Sequence, residues 1–181
     1  ALHAACLIGA DGVRSWVREQ AGITVEKSAY KQTAIVAHFS AERPHHGTAL
    51  QWFFNGEILA LLPLPNQQFS MVWSASDEHA ASLSTMSAEE LAMTLQNTAT
   101  VAQHTGKLHG LSAPSAYPLN LTCAKSLLGN RIVLVGDAAH RIHPLAGQGL
   151  NLGLRDVAAL AQIFSQKEKF RSYGDARLLG R

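Results

Sequence analysis

The stretch RIVLVGDAAHRIHPLAGQGLNLGLRD, residues 131–156, decides the fold class of this 181-residue chain. Residues 132–135 are continuously apolar, which is typical of a strand that is covered on both faces in a parallel α/β sheet. Gly136 and Asp137 then end the strand. Because ligands of open α/β folds bind beyond the carboxyl ends of the strands, Asp137 is placed to accept hydrogen bonds from ligand hydroxyls. Capping of the turn is the alternative role for this carboxylate.

A helix is predicted to begin at the glycines of GQGLNLG, residues 147–153. The apolar residues at helical spacing that indicate it are Leu154, Val157, Leu160, Ala161 and Phe164. Free N–H groups and the positive end of the helix dipole favour an anionic or electron-rich group at such a start. Gly147 and Gly149 would let a flat ligand approach the backbone, although packing alone is an alternative reason for them. Residues 138–146 separate these glycines from the strand, so they are not the dinucleotide fingerprint.

Residues 143–156, HPLAGQGLNLGLRD, resemble the signature of the ubiquinone-biosynthesis hydroxylases, a branch of the FAD-dependent aromatic hydroxylases with the para-hydroxybenzoate hydroxylase-like fold. The resemblance implies that the GD motif, Gly136 and Asp137, holds the ribityl chain of FAD. It also implies that Pro144 lies beside the isoalloxazine ring and that amides around Leu150 and Asn151 face its pyrimidine edge. A helix N-terminus aimed at that edge stabilises the negative charge of reduced flavin. The cofactor-binding residues expected in this helix start are Gly147, Gln148, Gly149, Leu150 and Asn151.

A second motif lies near the amino end. Residues 2–8 are predicted as a strand, and the following GADGVRSWVR, residues 9–18, resembles the DG motif of the same family, which serves both FAD and NAD(P)H. We expect Asp11 and Arg18 to bind cofactor by orienting backbone and phosphate groups, since guanidinium pairs well with phosphate. An Asp-Gly turn followed by an ordinary surface helix is the alternative.

The middle of the chain has the pattern of an antiparallel sheet with a helix. Strand-like runs lie at residues 31–39, 49–54, 57–62 and 69–75. Asn55-Gly56 is typical of a hairpin turn, and residues 87–90 form a capping box before a helix with Leu91, Leu95 and Val101 on one face. The fold class expected is α/β, in which residues 1–28 and 113–181 belong to a Rossmann-like FAD-binding domain. Residues 29–112 would be an inserted α+β substrate domain.

The resemblance implies that the sheet of the insert covers the flavin. Trp52, Phe54 and Trp73 are therefore candidates for a hydrophobic substrate pocket, together with Phe53 and Met71. The alternative is that they form ordinary sheet core, because alternation along a strand turns some of them inward in any case.

The function implied by the resemblance is FAD-dependent hydroxylation of an aromatic ring, with NAD(P)H and O2 as co-substrates and a polyprenylated phenol of ubiquinone biosynthesis as substrate. Two alternatives are another aromatic substrate on the same fold and a flavin-free scaffold module. No residue is assigned as the catalytic base. The resemblance also implies other quinone-biosynthesis proteins as partners, and a cytoplasmic location or peripheral association with the inner membrane.

Composition and residue spacing argue against several other classes of protein and site. A net charge of +2 without a basic cluster argues against nucleic-acid binding, and no apolar stretch approaches the ~20 residues of a membrane span. Cys6 and Cys123 are expected to be reduced, buried thiols, and the histidines lack metal-ligand spacing, so His140 is expected to pack or hydrogen-bond in its loop. No GxGxxG follows a strand, and a helical pattern begun near Phe170 runs to the last residue. We therefore expect a fragment that lacks the first part of the FAD domain and the carboxyl-terminal helices. By itself such a fragment should retain FAD weakly or not at all and should not hydroxylate.

Overall fold

The computed structural model describes residues 3–143 and 147–181, so the predicted site residue Pro144 lies outside the described residues. The chain divides into two compact units, unit 1 with Ala1–Tyr30 and Asn120–Arg181, and unit 2 with Lys31–Leu119. The strands are β1 (Leu7–Gly9), β2 (Val25–Ala41), β3 (Leu50–Phe54), β4 (Glu57–Leu64), β5 (Gln68–Ser76), β6 (Leu108–Gly110), β7 (Ser115–Ala124), β8 (Leu128–Gly129), β9 (Ile132–Leu134) and β10 (His140–Arg141). The helices are α1 (Trp16–Gln20), α2 (Asp77–Ser84), α3 (Ala88–Gln96), α4 (Val101–Thr105), α5 (Gln148–Ser165) and α6 (Ala176–Leu179).

Unit 1 brings the two motif-bearing strands side by side. β1 pairs in parallel with β9, with Leu7 opposite Ile132 and Gly9 opposite Leu134, and β8 pairs antiparallel to β9. The DG motif therefore follows one strand and the GD motif follows its parallel neighbour, which confirms the predicted α/β class. β1 is shorter than predicted, because its pairing with β9 begins only at Leu7.

The carboxyl end of unit 1 differs from the prediction. Only residues 176–179 are helical there, so the helix expected from near Phe170 is wrong. Asp175 explains the late start, because its side chain accepts hydrogen bonds from the amides of Arg177 and Leu178 as the N-cap of α6.

Cys123 is a further correction. The two cysteines are free, but Cys123 is exposed and Cys6 is only partly buried. Strand alternation in β7 turns Thr122 and Ala124 inward and therefore turns Cys123 outward. Partial burial raises the pKa of the Cys6 thiol.

Unit 2 is an antiparallel sheet packed on helices. β2 pairs with β5, β5 with β4 and β4 with β3, while β6 pairs with β2. The predicted hairpin is confirmed, since Asn55 and Gly56 both have positive φ, 49° and 77°. The capping box at Ser87 and Glu90 is also confirmed.

One face of this sheet forms the core of unit 2 with the helices. Leu91, Leu95 and Val101 are buried in that core, as their spacing predicts. They do not share one helix, however, because α3 ends at Gln96 and α4 begins at Val101.

Candidate functional site

The GD motif forms a tight turn at the end of β9. Gly136–Ala138 is a single 3-10 turn, and Gly136 has φ +59°, a conformation that favours glycine. Ala138 is buried whereas Asp137 is exposed. Within residues 3–143 and 147–181, the Asp137 carboxylate has no hydrogen bond or ion pair. The structure therefore presents this carboxylate outward. Among those residues no backbone N–H donates to it, so it does not cap the turn there.

A carboxylate from α5 holds the first residue of this turn. Asp156 Oδ2 accepts a hydrogen bond of 2.8 Å from the Gly136 N–H, and the same oxygen lies 2.8 Å from His140 Nε2. The ring of His140 thus contacts the Asp156 carboxylate, to which the sequence analysis assigned no role.

Arg18 of the DG motif holds the last residue of the same turn. Its side chain is buried, and its Nη1 donates to the Ala138 carbonyl at 2.8 Å. Its Nη2 donates to the Val13 carbonyl, also at 2.8 Å. The guanidinium thus orients backbone of both motifs, whereas its contact with a cofactor phosphate stays a prediction.

The Asp11 carboxylate accepts hydrogen bonds at the start of α1. Its Oδ2 accepts the Val17 N–H at 3.1 Å. A hydrogen bond from the Ser15 side chain, joined by backbone N–H bonds, holds the pKa of Asp11 below its usual value. These contacts are those of a helix-capping carboxylate, as in the alternative stated for this motif. Binding of cofactor by Asp11 stays a prediction.

Among the described residues, the start of α5 has free space beside it. Its N-cap, Gly147, is in the left-handed conformation with φ 65° and has no side chain that could cap the helix. A Cβ added at Gly147 or at Gly149 would meet no atom within 4 Å among the described residues. Gln148, Leu150 and Asn151 are exposed. A planar group therefore has room against first-turn amides that no intrahelical carbonyl can satisfy.

A different glycine of the same run serves packing. A Cβ at Gly153 would stand 3.2 Å from the Gly136 Cα, closer than most side chains tolerate. The helix and the GD turn therefore approach each other through two glycines. The packing alternative fits Gly153, whereas Gly147 and Gly149 have open space beside them.

His143 borders the loop between the turn and α5. Its ring meets the ring of Tyr30 edge to face, with centroids 5.0 Å apart. Burial lowers the pKa of His143, which favours the neutral imidazole at neutral pH.

In unit 2, the predicted substrate-pocket residues lie on the covered face of the sheet. Trp73 is 2% exposed and belongs to the core, and Trp52 and Phe54 pack against that core. The Trp73 indole N–H is satisfied by Glu57, whose carboxylate also contacts His79. Strand alternation turns Trp73 toward the helices, which agrees with the sheet-core alternative for this residue. Met71, which is fully buried, is core for the same reason.

The opposite face of that sheet carries Phe53, which was among the pocket candidates, together with residues that the sequence analysis did not select. Phe53 lies opposite Ile58, and Ala60 lies opposite Val72. Phe53 is 65% exposed. Alternation was the available signal, because Phe53 has the opposite parity to Trp52 and Phe54.

The part of the chain that the structure describes lacks two further features. It contains no cluster of three histidine, cysteine, aspartate or glutamate side chains suited to a metal ion. It also contains no helix with the length and apolar character needed to cross a bilayer.

Comparison with known proteins bears on both units. Residues 1–177 match the family model described as FAD binding domain. The chain is 40% identical over 161 residues to ubiquinone hydroxylase UbiL of Rhodospirillum rubrum, covering 89% of this chain and 37% of that protein. It is 37% identical to 3-demethoxyubiquinol 3-hydroxylase of Escherichia coli, covering 97% of this chain and 43% of the relative. The chain thus spans about two fifths of the length of these relatives.

Among solved structures, PqsL of Pseudomonas aeruginosa, described as a probable FAD-dependent monooxygenase, has a TM-score of 0.66 and 25% identity, covering 89% of this chain and 46% of that one. A tetrameric 2-methyl-3-hydroxypyridine-5-carboxylic acid oxygenase has a TM-score of 0.70 and 21% identity, covering 99% of this chain and 48% of its own. The second likeness concerns the fold alone.

Proposed function

The chain belongs to the FAD binding domain family, and from this premise we propose that it is part of an FAD-dependent monooxygenase that hydroxylates a prenylated aromatic ring in ubiquinone biosynthesis. The observation that carries the proposal lies within unit 1. An exposed carboxylate, Asp137, is held on a turn that packs against α5, and the start of that helix is open. Relatives whose names place them in ubiquinone metabolism support the choice of substrate class.

FAD fits the donor and acceptor groups of this site. Asp137 would accept hydrogen bonds from ribityl hydroxyls, and the amides of residues 148–151 would face the pyrimidine edge of the ring. Gly147 and Gly149 leave the space that a planar ring needs. The chemistry that bound FAD supplies is hydride uptake from NAD(P)H and activation of O2.

The chain's own contribution is electrostatic and positional. The 18-residue helix α5 directs its positive end toward the open start, so it stabilises anionic charge placed there without reorganisation. Asp156 and Arg18 fix the two ends of the turn that carries Asp137. A rigid turn keeps the acceptor in place before the ligand arrives, which lowers the entropic cost of binding.

For unit 2 we assign the substrate contacts to the uncovered sheet face rather than to the tryptophans. Phe53, Ile58 and Val72 offer apolar side chains on that face, and a prenylated ring is an apolar ligand. Pro144 beside the isoalloxazine ring, association with other quinone-biosynthesis proteins and peripheral attachment to the inner membrane complete the proposal.

The experiment uses the intact protein that contains this chain. It is supplied with FAD, NADH or NADPH, isotopically labelled O2 and a polyprenylated phenol, and the product is read by mass spectrometry. We expect one labelled oxygen atom in the ring of the product. A protein that binds no FAD, or that consumes NAD(P)H without labelling any phenol, would contradict the proposal. Labelling of only unprenylated aromatic compounds would reassign the substrate.

A further inference from the structure

Asp156 lies where α5 meets the GD turn, and the proposed cofactor contacts assign it no role. One of its carboxylate oxygens accepts a hydrogen bond from the Gly136 N–H at 2.8 Å and lies 2.8 Å from His140 Nε2. The side chains of His140 and Asp156 are only 16% and 21% exposed. This shielded carboxylate restrains the Gly136 N–H, because hydrogen bonds to an ionised acceptor are short and strong, and it also contacts the His140 ring.

The same face of α5 touches the turn a second time. Gly153 precedes Asp156 by three residues and therefore lies on the same side of the helix. Its backbone approaches Gly136 so closely that a Cβ would stand 3.2 Å from the Gly136 Cα. The turn is thus fixed to the helix both by close packing and by a charged acceptor.

These contacts join the two parts of the candidate flavin site. Asp156 lies eight residues beyond Gln148, about 12 Å along the helix axis from the open start. It therefore acts on the site through the backbone of Gly136 and through the helix itself. A shift of the turn along α5 would change the spacing between the Asp137 carboxylate and the amides of residues 148–151.

We propose that Asp156 is a positioning residue, which sets the register between the turn that presents Asp137 and the start of α5. This inference rests on the proposed FAD site. Position matters more than charge here, because a single oxygen makes both contacts. An asparagine oxygen can occupy the same place, whereas a glutamate keeps the charge but carries it one methylene further from the helix.

The test measures FAD affinity in the intact protein, using Asp156→Asn, Asp156→Glu and Asp156→Ala. We expect the Asn variant to bind FAD within about threefold of the wild type, and the Glu and Ala variants to bind at least about tenfold more weakly, the effect of losing one charge-assisted hydrogen bond. Visible circular dichroism of bound flavin at saturating FAD should change in the Glu and Ala variants and not in the Asn variant. Folding of each apo-protein is checked by thermal unfolding.

Asp175→Ala is the matched control. Asp175 also accepts backbone N–H bonds in unit 1, but it does so at the start of α6. We expect this control to lose stability and to keep its FAD affinity. If Asp156→Ala does not fold, Gly153→Ala replaces it, because its added Cβ presses on Gly136 and should also weaken FAD binding.

The outcomes separate the two proposals. A wild-type protein that binds no FAD overturns the proposed function, and the positioning role with it. A wild type that binds FAD, with Asn and Glu variants of equal affinity, overturns the positioning role alone. Tighter binding by Glu than by Asn would show that charge matters instead, which also contradicts the inference.

Discussion

Replacement of Asp137 by alanine separates a ligand-binding carboxylate from a structural one. In the described residues its side chain is exposed and has no hydrogen bond or ion pair, so the free energy of unfolding of the apo-protein should change by less than about 0.5 kcal/mol. FAD binding should weaken by about 1.5–3 kcal/mol, because ribityl hydroxyls lose a charged acceptor. This corresponds to a dissociation constant raised roughly 10- to 150-fold.

The assay is titration of the intact apo-protein with FAD, followed by quenching of flavin fluorescence, beside thermal unfolding of each variant. Glu19→Ala is the matched control, since Glu19 is also an exposed acid of unit 1 but belongs to α1 rather than to the GD turn. Unchanged FAD affinity in Asp137→Ala would refute the reasoning. A loss of apo-protein stability with unchanged affinity would show that the carboxylate serves the turn itself.

Three further predictions concern the supporting structure. Arg18→Ala should lower the free energy of unfolding by about 3 kcal/mol in urea titration, because one buried and one partly buried carbonyl lose a charged donor, and Arg18→Lys should not restore it. Hydrogen bonds from Ser87 lower the pKa of Glu90, so the capping box stabilises the folded state at pH values above the ordinary carboxylate pKa. This stabilisation is lost as the pH falls through the folded-state pKa of Glu90. The urea midpoints of wild type and Ser87→Ala should therefore converge at acid pH. Trp73→Ala should cost about 3–5 kcal/mol by the same titration, while Phe53→Ala stays within about 1 kcal/mol and weakens substrate binding instead.

Local signals account for the parts of the structure that could be predicted. The hairpin at Asn55-Gly56 requires positive φ at two adjacent residues, and few sequences satisfy that requirement. The capping box at Ser87 is complete within four residues. The strand before Gly136 and the helix after Gly147 are likewise encoded by neighbouring residues. In each case the physical cause lies within one or two turns of chain, so the sequence exposes it directly.

The missed features depend on partners that are distant in the sequence. Arg18 reaches Ala138 across 120 positions, and a guanidinium suited to phosphate is equally suited to a buried carbonyl. Trp73 was a pocket candidate because the resemblance implies that the sheet of the insert covers the flavin, yet only the pairing of β5 with β2 and β4 determines which face is covered. Asp156 was part of a recognised signature without a role, since the two residues that its carboxylate contacts, Gly136 and His140, lie outside its own helix.

These misses share a physical origin that bears on the site itself. The residues exposed for a ligand, Asp137 and the glycines at the start of α5, are those whose local backbone demands can be read along the chain. The residues that hold them, Asp156 and Arg18, act through single long-range hydrogen bonds. Ligand affinity should therefore respond to substitutions at both sets, but only the second set should also change the stability of the apo-protein. Measuring FAD affinity and unfolding for the same variants distinguishes the two sets of residues. For the same loss of FAD affinity, Arg18→Ala is expected to lower the free energy of unfolding more than Asp137→Ala does.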